Sequence, residues 1–153
     1  MKNIRYLIAI ALTSLALAAN AKGGELVNTA GASGIALSGY DPVAFFTDQK
    51  PVNGDPGIKA TQQGATYFFA SKEHKELFEA APEKYLPQYG GYCAFGVALG
   101  ALFPVDISTW QVRNGKLYLN LNPDILKAFN KDFENNLGKA EKNWPGIVAK
   151  NQK

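Results

Sequence analysis

Asn114-Gly115 lies between Trp110-Gln111-Val112-Arg113 and Lys116-Leu117-Tyr118-Leu119, and no other feature constrains the fold as tightly. A two-residue turn whose twist matches two paired strands needs positive φ at both central positions. Asn and Gly supply that at least cost. A local antiparallel hairpin is therefore expected here. A second is expected where residues 58–61 and 66–70 flank Gln62-Gln63-Gly64-Ala65. Val43-Ala44-Phe45-Phe46 reads as a further short strand, followed by the turn cluster Asn53-Gly54-Asp55-Pro56-Gly57.

Helical signals separate and follow the hairpins. Ser71 is a good N-cap and Glu73 an early acid, which predicts a helix to about Ala80. His74 borders its apolar side at the spacing of Leu77 and Phe78. Pro82 suits the start of a second short helix carrying Tyr85 and Leu86. Gly90-Gly91 allows a tight turn, with a short helix of small residues after it. Asn122-Pro123-Asp124 opens a final helix along which Ile125, Leu126, Phe129, Phe133 and Leu137 recur at helical spacing. Gly138 is expected to break it before a last segment ending at Trp144-Pro145. Local hairpins alternating with helices argue for a small single α+β domain. Its antiparallel hairpins would pack against short helices and a longer C-terminal helix.

The N-terminus predicts export. Lys2 and Arg5 precede an apolar run from Tyr6 to Ala19, and Ala19-Asn20-Ala21 fits an A-x-A cleavage site. The run is of signal-peptide length and shorter than the roughly 20 residues a membrane span needs. Residues 1–21 are thus expected to be a Sec-type signal peptide. Residues 22–39, rich in Gly, Ala, Ser and Asn, are expected to be a flexible leader, and residues 40–150 the domain. The mature chain would work in the periplasm or be secreted, with no membrane span after cleavage.

Losing Lys2 and Arg5 lowers the formal charge from +3 to +1. No basic stripe remains to suggest nucleic acid. No nucleophilic-serine motif, phosphate-cradling glycine loop or Cys-x-x-Cys occurs, so an enzyme is the less favoured class. The chain has one cysteine, Cys93, and one histidine, His74. A single thiol in an oxidising compartment is buried, paired between chains, metal-bound or chemically used.

Three segments together resemble exported bacterial YHS-domain proteins. They are Gly39-Tyr40-Asp41-Pro42-Val43-Ala44-Phe45-Phe46, Tyr67-Phe68-Phe69-Ala70-Ser71-Lys72-Glu73-His74, and Pro82-Glu83-Lys84-Tyr85-Leu86-Pro87-Gln88-Tyr89-Gly90-Gly91-Tyr92-Cys93-Ala94. The resemblance implies a metal-associated module, since relatives accompany heavy-metal pumps. Those modules carry a cysteine after Asp-Pro-Val and a Cys-x-x-x-Cys at the helix start. Here Ala44, Ala70 and His74 stand at those places.

On this reading His74 and Cys93 are the candidate metal ligands, with Tyr40, Asp41 and Tyr92 as partners that would orient the imidazole. Imidazole plus thiolate suits Cu(I), which needs few ligands, better than zinc, which needs about four. The expected role is a copper carrier or buffer, with the metal ion and a periplasmic protein as partners. Two alternatives stand beside it: thiol redox chemistry at Cys93 with His74 nearby, and a non-catalytic interaction module. A buried, inert Cys93 is equally compatible with its apolar setting, Tyr92-Cys93-Ala94-Phe95.

Overall fold

The structure is a computed structural model, and residues 26–29 and 33–152 are described. The expected signal peptide lies outside the described residues, as does part of the leader. What is described of the leader packs on the domain. Ala36 donates its N–H to Thr66 O, Thr66 returns its own to Gly34 O, and Ala36 and Leu37 are buried in the core.

Both hairpins form. β1 (Asp55–Gln62) pairs antiparallel with β2 (Ala65–Phe69), and β3 (Asp106–Arg113) with β4 (Lys116–Asn120). Each turns on two residues of positive φ, Gln63-Gly64 (53° and 78°) and Asn114-Gly115 (53° and 72°). That is the turn whose twist suits paired strands. The hairpins form two separate two-stranded sheets.

α2 (Lys72–Ala80) starts on Ser71, whose hydroxyl accepts the His74 N–H. It buries Phe78 against Tyr67 and Phe69, with ring centroids 5.3 and 5.1 Å apart. α3 (Pro82–Tyr85) follows, and α4 (Ala94–Ala98) begins after the Gly90-Gly91 turn. The α+β architecture is the one the pattern predicts.

Two expectations are corrected. The apolar run 43–46 is not a strand but the helical turn α1 (Ala44–Thr47). Asp41 Oδ1 accepts the Val43 N–H, and Val43 O then accepts from Phe46 N and Thr47 N, which winds the chain into a turn. A short apolar run carries no period that separates the two states.

The C-terminal helix breaks earlier than predicted. α5 (Pro123–Lys131) ends at Asp132 (φ −143°, ψ 66°), and α6 (Phe133–Asn151) runs on through both Gly138 and Pro145. Asn136 Nδ2 reaches back to Phe129 O and satisfies a carbonyl that the break frees. α6 keeps its course because Phe133, Ala140 and Ile147 are buried, and tertiary packing overrides local preference. Asn143 also donates to Val97 O and Ala98 O, tying α6 to the end of α4.

Two cores result. The first gathers Leu37, Val43, Phe45, Tyr67, Phe69, Phe78 and Tyr85 with Leu117 and Leu119. The second gathers Tyr89, Val97, Tyr118, Phe129, Phe133 and Ile147. β4 stands between them, its alternation sending leucines one way and Tyr118 the other.

The tyrosines of the second core carry a pH prediction. Burial, then the charge of Glu141, pushes the Tyr89 phenol well above its ordinary 10.0; burial and Glu141 do the same, to a lesser degree, to Tyr118. The fold therefore favours the protonated phenols. Their contribution is fully present below about pH 10 and is lost as pH rises beyond it. Urea midpoints should be level to about pH 9 and fall by about pH 11. Tyr89→Phe should flatten part of that fall.

Candidate functional site

The site is organised by a carboxylate with no exposed surface. Asp41 is 0 % exposed. Its Oδ1 accepts the Val43 N–H at 2.8 Å, and its Oδ2 accepts the Ala70 N–H at 2.7 Å. The same Oδ2 lies 2.7 Å from His74 Nδ1. One side chain thus joins the start of α1, the end of β2 and the first turn of α2. A buried carboxylate at this distance favours the tautomer with the proton on Nδ1. The Nε2 lone pair is then left outward.

Nε2 faces α1. It lies 3.3 Å from Thr47 Oγ1 and 3.7 Å from Asp48 Oδ1. Thr47 Oγ1 is in turn 2.8 Å from that Asp48 oxygen. The His74 side chain is 14 % exposed and that of Asp48 35 %, so this edge of the imidazole borders solvent. The Asp41–His74 arrangement is the one that metal-ligating histidines use, a carboxylate behind the ring, with the second nitrogen in front beside Thr47 Oγ1. Asp48 adds a second oxygen donor within reach of the same point. Neither Thr47 nor Asp48 stood out in the sequence, because a strand over residues 43–46 places them in an unrelated turn.

Cys93 has different partners. It is 1 % exposed and caps α4, where Sγ accepts the Gly96 N–H at 3.4 Å. Sγ also lies 3.6 Å from Asn120 Oδ1, at the end of β4. Asn120 Oδ1 accepts the Phe95 N–H as well, so the same amide pins α4 to the second hairpin. His74 and Cys93 share no partner. Among the described residues no group of three or more His, Cys, Asp or Glu side chains is arranged to hold a metal ion. His74, in α2, and Cys93, at the start of α4, keep separate sets of partners. Gly90-Gly91 turns the chain into α4 and onto β4, rather than back over α2.

The remaining sequence candidates fall on either side of this division. Tyr40 packs at the edge of the first core and pairs its backbone with Asn53. Tyr92 packs at the edge of the second core, where burial raises its phenol above the ordinary range. The side-chain partners of His74 are Asp41, Thr47 and Asp48. Among the described residues no helix is long and apolar enough to cross a membrane.

Residues 43–89 match the family model of the YHS domain. The match covers just under a third of the chain. It includes His74, Thr47 and Asp48, begins two residues after Asp41 and ends four before Cys93. No curated protein and no solved structure matches the chain.

Proposed function

From the YHS domain at residues 43–89, we propose that this chain is a metal-associated protein that carries or buffers a transition metal at His74. The observation that supports this is the Asp41–His74 contact at 2.7 Å, with Nε2 at the solvent border beside Thr47 and Asp48. Imidazole and carboxylate suit a borderline divalent ion, and the intrinsic order places Cu2+ above Zn2+. Copper therefore stays the first choice, as Cu2+ rather than Cu(I). The thiolate on which a Cu(I) site depends is buried and engaged in α4. Zinc would require about four ligands, and this edge offers two. Water would complete the shell, and so sparse a set gives up its ion readily, as a carrier must.

Export belongs to the same proposal. The chain would acquire its ion outside the cytoplasm and pass it to a protein partner there. The thiol-redox alternative finds little support in a cysteine that is 1 % exposed.

The test is Cu2+ titration of the purified protein against a weak competing chelator, with electron paramagnetic resonance as readout. One equivalent should bind with a nitrogen-ligated signal. His74→Ala should abolish it, Asp41→Asn should weaken it about 10–100-fold, and Cys93→Ser should bind like the parent. Equal uptake by parent and His74→Ala, or loss of binding in Cys93→Ser alone, would overturn the proposal.

A further inference from the structure

The connection from α4 to β3 keeps apolar side chains in water. Residues 94–105 carry no charged or hydrogen-bonding side chain. Part of that run turns inward: Leu102 packs on the second core and Val105 on the first. Leu99 and Phe103 stay out, at 68 % and 42 % exposed. The backbone fixes them there. Gly100 and Ala101 donate to Val97 O and Gly96 O, and Cys93 donates to Phe103 O. Phe103 lies on Gly96, where a Cβ would come within 2.7 Å of its ring. Gly96 and Leu99 are three residues apart at the end of α4, so Leu99 and Phe103 share a face and form one knob.

The helix beside this knob is basic on one side. Asn143 donates to Val97 O and Ala98 O, which sets its side of α6 next to Leu99. At about 100° per residue, Lys139 and Lys150 fall within about 40° of Asn143 and Lys142 about 100° from it, whereas Glu134 and Glu141 fall about 160–180° away. Glu141 accepts instead from the Tyr89 hydroxyl. The three lysines are exposed, and the ion pairs among the described residues engage none of them. Asp106, which closes the apolar run, is one negative charge against three positive.

This combination selects a partner. A protein interface carries about one hydrogen bond per 100–200 Å², and residues 94–105 have no side chain that makes one. A bilayer asks for none: apolar side chains enter the headgroup boundary, and nearby lysines gain from anionic lipid. We propose that Leu99 and Phe103 dock this protein on the surface of a bilayer rich in anionic phospholipid, with Lys139, Lys142 and Lys150 meeting the phosphates. The docking is peripheral and independent of metal binding at His74.

The chain from Lys22 onward holds every described residue and is the form to test, since the apolar run of residues 6–19 would bind lipid by itself. In sedimentation, vesicles of phosphatidylcholine mixed with phosphatidylglycerol should bind it about tenfold more tightly than phosphatidylcholine alone, and high salt should remove the difference. Leu99→Ser alters a side chain outside both cores and should weaken binding by about tenfold. Lys139→Gln with Lys142→Gln should weaken it about tenfold on the mixed vesicles only. His74→Ala should bind like the parent. Depth has its own readout. Cys93 is 1 % exposed, so a thiol-reactive fluorophore marks a Leu99→Cys variant at that position, and its emission should move to the blue on mixed vesicles. The proposal is overturned by equal binding of Leu99→Ser and parent, by unshifted emission, or by no uptake on mixed vesicles, which would leave the knob to an acidic protein surface.

Discussion

Asp41→Ala is expected to destabilise the fold by about 3–5 kcal/mol. Asp41 has no exposed surface, and its oxygens serve the Val43 and Ala70 N–H groups and the His74 ring. Alanine leaves those donors buried without an acceptor, at about 1–3 kcal/mol for each one stranded. With three donors served by one side chain, the total reaches about 3–5 kcal/mol. Asp41→Asn keeps one acceptor oxygen and the shape, so it should cost less than half of this. Urea unfolding of both variants checks the order. An alanine variant within about 1 kcal/mol of the parent would mean that water replaces the carboxylate, and that Asp41 does not hold the site together.

Phe129→Ala should cost as much, about 3–5 kcal/mol, for a different reason. Phe129 is wholly buried and touches the rings of Phe95, Tyr118 and Phe133, at centroid distances of 6.3, 6.3 and 5.3 Å. Alanine removes the apolar area and leaves a hole that three aromatic neighbours, each fixed by other contacts, cannot all close. Small domains have about 5–15 kcal/mol to lose. Thermal denaturation should therefore show a midpoint lower by ten degrees or more, at roughly 4–8 °C per kcal/mol at Tm for a small domain. A shift of only a few degrees would show that α6 moves in to fill the space. Copper binding at His74 should survive in the folded fraction, which separates this loss from that in Asp41→Ala.

Much of the fold is legible in the sequence because it is written locally. Asn114-Gly115, Ser71 and Asn122-Pro123 each act within a few residues, and each marks an element boundary found in the structure. What the sequence hid depends on distant partners. The turn at residues 44–47 forms because a carboxylate two residues before Val43 captures its N–H. The break at Asp132 interrupts an apolar period that runs through it without a fault. Pro145 sits inside a helix whose burial outweighs one missing hydrogen bond.

The site divides in the same way. His74 was visible as the only histidine, at a position of altered ligand type in a recognised motif. Its contact with Asp41 spans 33 residues, and those with Thr47 and Asp48 cross from one helix to another. No spacing rule reports such pairs. Cys93 shows the converse. The resemblance suggested Cys93 as a second ligand, but Asn120, far along the chain, holds the thiol on the other hairpin.

β4 gives the molecule an unequal division of labour. The stretch recognised as a YHS domain stops at Tyr89, yet the core that holds Val43, Tyr67 and Phe69 includes Leu117 and Leu119 from beyond it. Those leucines are presented by a strand whose reverse side is Tyr118, seated among the aromatic residues of α5 and α6. The recognised module here is therefore half of a building that shares its party wall with the other half. Cut at the family boundary, it would lose Leu117 and Leu119, both wholly buried members of its core. The unit that must be inherited, expressed or transplanted intact extends to the last turns of α6.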